Sequence, residues 1–409
     1  MARPERLILR PEIELLLACA RASIDRQTSE LVRSRILDSL DWAYLARLAE
    51  LNGMRPIFYR GLCIIVPPHD VPEALLSPLR TFAFDNATRN LWLAAEVLNI
   101  CDGLKKQGIA AIPFKGPTLS SWAYGELGLR ESSDLDLIVR QANLVETITF
   151  LRSQGYRPRN EPATQSQSKL LRYHAFNKPD SGISLDLQLS LEGPHFSFAL
   201  DRNELWNRAE PRNFAGGTVL SFSAEDHLML LCVHGVKDLW VQVKWVCDIA
   251  GLINNGPEID FHLMLDRAKR LRSQRMLLLG LLLAHRFFGA RLPEAVLDLA
   301  LRNSAVVASA DGVVRRFVRG NQSTPDSYRV GTYLKMDDTF LERMKRCNRY
   351  LKGYLRLMLP SEDDRKYLQA RGWPRAAGYL VRLLRLMVRY AVAPQRAVAK
   401  LKEHLGSMQ

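Results

Sequence analysis

Asp134 and Asp136 stand in the run Asp134-Leu-Asp-Leu-Ile-Val139, and no other stretch restricts the fold so tightly. Its apolar positions alternate and then run together, as in a half-buried strand. Residues two apart on a strand share a face. Both carboxylates therefore leave one side of a sheet next to each other, while Leu135 and Leu137 turn into a core. Like charges held that close repel and shift one another's pKa unless a cation lies between them. Oxygen-only ligands suit Mg²⁺ or Mn²⁺, which keep several waters and take substrate phosphates as further ligands. The pair is expected to hold a metal ion for a nucleotide.

Two further segments bear on this pair. Downstream, Asp186 is flanked by Leu185 and Leu187 in a second alternating strand, so its carboxylate is expected on the same polar face. Three carboxylates from two neighbouring strands, Asp134, Asp136 and Asp186, would serve two divalent ions, one at the attacking oxygen and one at the phosphates. Upstream, Phe114-Lys115-Gly116-Pro117 joins a strand to a helix. A glycine there lets backbone N–H groups approach a phosphate at a helix N-terminus, and Lys115 adds a point charge. Arg130, four residues before Asp134, is placed either to contact phosphate or to brace the carboxylates.

Strand, glycine turn, helix, Asp-x-Asp strand and a later strand aspartate together resemble the DNA polymerase β-like nucleotidyltransferase superfamily. More closely, Phe114–Gly116, Tyr124-Gly125, Gly128-Leu-Arg130, Ser133–Val139, Gly155-Tyr156 and Leu185-Asp-Leu187 resemble the bacterial uncharacterised nucleotidyltransferase family, over about residues 10–255. The resemblance implies Asp134 and Asp136 as ligands of both metals, and Asp186 as a ligand of the catalytic one and an acceptor of the incoming hydroxyl's proton. It also implies an association with polysaccharide or peptide natural-product biosynthesis. Two positions depart from the pattern. Gly116-Pro117 replaces Gly-Ser, with Asp134 following Gly116 by 18 positions, and Asp186-Leu-Gln188 replaces Asp-Leu-His. The resemblance continues into Ser223–Asp248, where His234, Lys237, Val241, Lys244 and Asp248 recur every three or four residues. That spacing predicts one helix face. It would be either a wall of the nucleotide site, with Lys237 and Lys244 toward the phosphates or base, or a solvated face with a Lys244–Asp248 pair.

The expected fold class is α+β: a small mixed nucleotidyltransferase-like sheet with helices, embedded in a largely helical chain. Helices are expected at 11–25, 29–39 and 41–52, the last capped by Asp41, and from Pro72 to Gln107 with an interruption near Pro78. Strands are expected at 109–114, 134–139, 170–177, 182–190 and 218–222, with helices at 117–124 and 141–154 and a loop at 156–168. Beyond Ser223 the pattern is helical. This divides the chain into a helical region 1–107, a core 108–222 and a helical region 223–409.

Six scattered cysteines without a Cys-x-x-Cys pair argue against zinc and against a disulfide framework, which makes a reducing cytoplasm the expected compartment. Neither a signal peptide nor an apolar run of ~18 residues is evident. The net charge of +14 is uneven: residues 261–409 hold 29 Lys and Arg against 12 Asp and Glu, whereas 1–260 are close to neutral. Arg371, Arg375, Arg382, Arg385 and Arg389 lie near one face of a pattern whose other face holds Leu380, Leu383, Leu384 and Met387. A basic amphipathic helix over 371–391 suits the inner face of a membrane or an acidic partner, and equally a solvated surface. Nucleic acid is the weaker reading, because no reader module or aromatic interleaving accompanies the charge.

Three functions follow. The first is a Mg²⁺- or Mn²⁺-dependent enzyme moving a nucleotidyl or nucleotide-activated group from a nucleoside triphosphate or related nucleotide to a hydroxyl or phosphate on a small-molecule, peptide or glycan acceptor. The second is a nucleotide-binding scaffold without turnover. The third is a membrane or nucleic-acid adaptor led by the basic third.

Overall fold

The structure is a computed structural model and describes residues 9–21, 24, 30, 40–159, 173–193, 196–200, 202–320, 326–341, 343, 344, 346–348 and 350. Nearly all of the helix expected at 29–39, the loop over 160–168 and the basic helix over 371–391 lie outside the described residues. The described residues form two compact units, one from the chain up to 191 with 198–336, the other from 192–197 with 337 onward. In the smaller unit Arg346 and Asp337 make a buried ion pair. Everything below concerns the larger one.

Its N-terminal part holds helices α1 (Pro11–Cys19), α2 (Trp42–Leu51), α3 (Arg55–Ile65) and α4 (Glu73–Lys106). Asp41 caps α2 by accepting from the Tyr44 N–H at 2.9 Å, satisfying a first-turn donor that the helix cannot. The long α4 runs on through Pro78 without the expected interruption. The proline sits close to the helix start, where a lost backbone bond is easiest to absorb.

A five-stranded sheet follows, in the spatial order β1 (Ala111–Pro113), β2 (Leu135–Val139), β5 (Ile183–Gln188), β4 (Tyr173–Lys178), β3 (Arg157–Pro158). β2 and β5 are parallel and the other pairs antiparallel, so the sheet is mixed, as expected. The parallel pair requires a long crossover, which carries helix α6 (Leu144–Ser153) and strands β3 and β4. β3 falls at the start of the segment expected to be all loop; its two residues pair with Asn177 and Phe176. Between β1 and β2 lies helix α5 (Gly116–Tyr124), ended by Gly125 in the left-handed conformation. The strand expected at 218–222 does form, as β7 (Gly217–Ser221), but it pairs with β6 (Glu210–Phe214) in a separate hairpin rather than joining the main sheet.

From Ala224 on, the larger unit is helical: α7 (Ala224–Lys237), α8 (Lys244–Asn255), α9 (Phe261–Arg270), α10 (Gln274–Phe288), α11 (Glu294–Arg302), α12 (Ser304–Val318) and α13 (Asp326–Met336). The apolar α10 packs against α7 and α8, and α8 against α5, which joins the helical layer to the sheet.

The single helix face expected from His234 to Asp248 is not formed. α7 stops at Lys237, Leu239 and Trp240 adopt left-handed φ of 57° and 54°, and α8 begins afresh at Lys244. The cause is packing. Trp240, 2% exposed, folds back over Gly235, and a Cβ built on Gly235 would meet its ring carbons at 2.3–2.5 Å. The Trp240 N–H donates to the Gly235 carbonyl at 2.8 Å. Burial of a large indole outweighs the cost of two left-handed residues. Gly235→Ala is therefore expected to destabilise the protein by about 1–3 kcal/mol in urea unfolding, although alanine is the better helix former.

Candidate active site

β2 and β5 pair with Asp136 beside Asp186, Leu135 beside Leu185 and Leu137 beside Leu187. Matched positions of paired strands point to one face, so the two aspartates share the side away from the four buried leucines. Asp134 immediately precedes β2 and accepts from Ser133 Oγ at 3.0 Å.

Asp136 is almost enclosed, its side chain 6% exposed. Burial pushes its carboxyl pKa up, Lys115 draws it down, and the neighbouring charge of Asp134 raises it again. The cation is supplied from within: Lys115 Nζ lies 3.1 Å from Asp136 Oδ1, and Gln188 Nε2 donates to the same oxygen. Lys115 is aimed there by the break after β1, where Gly116 takes a φ of 61° that a side chain would strain. Thr118 Oγ fastens the turn by donating to the Lys115 carbonyl at 2.7 Å.

Lys115 also reaches His234 Nε2 at 3.0 Å. Burial first, then Lys115, Lys237, Arg130 and Lys244, hold the imidazole pKa well below its usual value, and the ring is neutral. It packs edge-on against Trp245 at 5.3 Å. Asp238 Oδ2 lies 3.1 Å from the same nitrogen and 3.4 Å from Lys237 Nζ.

Arg130 is a brace. Its Nε donates to both carboxylate oxygens of Asp248 at 3.1 and 3.0 Å, with both side chains buried, and Tyr124 Oη donates to Asp248 Oδ1 at 2.8 Å. Burial works against the guanidinium charge, but Asp248 and Tyr124 more than compensate and the pKa is raised. Asp248 thus pairs with Arg130 and not with Lys244. Four cations, Lys115, Arg130, Lys237 and Lys244, act together on His234. Three have a carboxylate partner; Lys244 makes no hydrogen bond or ion pair among the described residues. Its pKa is lowered to about 8 by burial and then by Arg130.

Lys115, Arg130, Asp134, Lys237 and Lys244 thus act electrostatically on Asp136 or His234, and Asp186 lies beside Asp136 in the strand register, although two helices rather than one deliver Lys237 and Lys244. Sequence patterns alone did not show what holds the loop before β2. Asn86 Nδ2 donates to the carbonyls of Gly128 and Arg130 at 2.8 and 3.0 Å, and Asn90 Nδ2 to those of Leu127 and Arg130 at 2.6 and 2.9 Å. Two asparagines one turn apart on α4 were the available signal. Gln188 gains a role as a donor to Asp136.

The chemistry of this donor set suits a divalent cation, since Asp136 already binds a positive charge, the Lys115 ammonium, and its neighbours are carboxylates. Its arrangement differs from the expected three-carboxylate cage: among the described residues no three Asp, Glu, His or Cys side chains stand together as a metal-holding group. Mg²⁺ is commonly held by only one or two carboxylates plus substrate phosphates, a requirement that Asp134 and Asp136 meet.

The family model described as uncharacterised nucleotidyltransferase matches residues 38–289. The chain belongs to that family. No curated protein matches it. The matched span contains the whole sheet and every residue of this site, so the nucleotidyltransferase assignment and the acidic strand pair describe the same part of the chain.

Two outcomes test these electrostatics. Asp248→Asn or Arg130→Met leaves one buried partner uncompensated and is expected to cost about 3–5 kcal/mol in denaturant unfolding, with the double variant losing less than the sum. For Lys244, the folded pKa of about 8 lies below the unfolded value of 10.5. Between the two the unfolded chain binds more protons, so stability rises with pH across that window, and below it the full penalty of burying the charge remains. Lys244→Met is expected to stabilise the protein at neutral pH by on the order of 3 kcal/mol at most, seen as a raised Tm, with the gain vanishing above pH ~10.

Proposed function

We propose that this chain is a Mg²⁺- or Mn²⁺-dependent nucleotidyltransferase acting on a nucleoside triphosphate. The observation that carries the reading is the β2–β5 register, which sets Asp136 beside Asp186 next to Asp134, behind a Lys-Gly turn and amid four cations. Asp134 and Asp136 would hold the ion, whose part is to neutralise phosphate charge. Gly116 and the first N–H groups of α5 receive a phosphate, and Lys115 moves its charge from Asp136 to the phosphates once that carboxylate is engaged elsewhere. Asp186 takes the proton from the acceptor hydroxyl as its oxygen attacks the α-phosphorus, the bond to the β-phosphate breaks, and pyrophosphate leaves. Arg130, locked on Asp248, keeps β2 in place and adds a fixed positive field. Most of the rate gain would come from positioning and charge neutralisation. The acceptor carries a hydroxyl or phosphate, on a small molecule, peptide or glycan.

A second reading also has support. Lys115 and Gln188 together occupy Asp136 Oδ1, which suits a scaffold that binds a nucleotide without turning it over.

Calorimetric titration of the full chain with ATP, GTP, CTP and UTP, in Mg²⁺ and in EDTA, tests the proposal. At least one nucleotide is expected to bind about tenfold or more tightly with the metal, and Asp136→Asn is expected to erase the difference. Equal binding with and without metal, or no binding of any of the four, would overturn it. Metal-dependent binding with no pyrophosphate released in a cell extract would favour the scaffold.

A further inference from the structure

A cavity of about 390 Å³ opens beside the segment leading into β2, within the size range of small-ligand sites. α4 supplies Phe82, Asp85 and Arg89 to its wall, the chain before Asp134 supplies Ser132, and the start of α8 supplies Lys244. Arg55 at the rim is already engaged, 3.0 Å from Glu131 and 3.2 Å from Glu50, with its guanidinium 3.4 Å above the Phe82 ring. Other polar groups of the wall are not engaged. Among the described residues neither Lys244 nor Arg89 has a hydrogen-bond or ion-pair partner. Ser132 is 8% exposed, and its Oγ is buried without a partner among the described residues. Asp85 is the wall's remaining carboxylate, and it stands exposed at the outside.

Two uncommitted cations and an unsatisfied hydroxyl, from three separate chain segments, need an anion with acceptor oxygens in more than one direction. A buried polar group without a partner costs stability, and so does an enclosed ammonium. Both costs are relieved when an anion enters. Tetrahedral phosphate oxygens can meet donors from three chain segments in more directions than the two coplanar oxygens of a carboxylate.

We infer that this cavity is a phosphate-binding subsite, with Lys244, Arg89 and Ser132 as its donors, adjoining Asp134. Its role as a place for one of the reactants rests on the nucleotidyl-transfer reading above; its chemistry does not. The phosphate belongs either to the acceptor or to the tail of the nucleotide, and competition separates the two.

The test is titration of the full chain with inorganic phosphate, followed by ³¹P NMR, alone and in the presence of saturating ATP with Mg²⁺. Wild type is expected to bind phosphate, and Lys244→Met to weaken it about tenfold or more, with Arg89→Gln weakening it less because that side chain is exposed. Thermal melting of both variants confirms that they fold. Phosphate bound together with ATP assigns the subsite to the acceptor; phosphate displaced by ATP assigns it to the nucleotide. Absence of phosphate binding by wild type, or binding unchanged in both variants, overturns the inference. Asp136→Asn separates the two proposals, since it is expected to remove metal-dependent nucleotide binding while leaving phosphate binding in place. Phosphate bound at Lys244 with no nucleotide bound at all would keep the cavity and discard the transferase.

Discussion

Arg130 and Asp248 are 118 positions apart in the chain and meet in the interior at 3.0 Å, one on the loop that enters β2 and the other on α8. Removing two charges from water is costly, and the pair holds only because the geometry is close and Tyr124 satisfies another lone pair. The remaining order of the site depends on this contact. Arg130 is also where the amides of Asn86 and Asn90 converge on its carbonyl, and where Ser120 Oγ accepts from its N–H at 3.2 Å. Helices α4, α5 and α8 are thus referred to one residue, four places before Asp134. The acidic strand leaves that point in a fixed direction.

The charge balance around the site suits a polyanion. Asp136 sits with a cation in place, His234 is kept neutral by burial and then by the surrounding positive charges, and Lys244 is held partly buried at a cost to stability. A protein selected only for folding would replace such a lysine with an apolar residue of similar length. Retained strain of this kind is common where a ligand supplies the missing partner. The proposed nucleotide site and the proposed phosphate cavity would be two uses of the same positive field.

Much of this was legible in the sequence because it rests on local geometry. Period-two alternation around Asp136 and Asp186, a glycine between strand and helix, and the cap at Asp41 each concern a few neighbouring residues. The helices between 224 and 336 followed from periodicity alone. The reading failed where distant packing overrode a local pattern. The spacing of His234, Lys237, Lys244 and Asp248 is that of one helix, yet Trp240 finds its burial over Gly235 and the helix breaks. The strand at 217–221 obeys its propensity but pairs with its own neighbour. Partners were misjudged for the same reason: Asp248 is four residues from Lys244, but the guanidinium that reaches it comes from Arg130.

By itself the sequence determined the α+β class, the acidic strand pair, the Lys-Gly turn and the family, since periodicity, turn chemistry and motif spacing are carried by adjacent residues. Only the tertiary structure decided that Asp136 and Asp186 lie in register, that Lys115 rather than a third carboxylate occupies Asp136, that Arg130 is spent on Asp248, and that Lys244 faces a cavity without a partner. Those facts depend on which charges are brought within a few ångströms after burial. That is settled by the packing of helices and sheet against one another, over separations in the chain that no local pattern records.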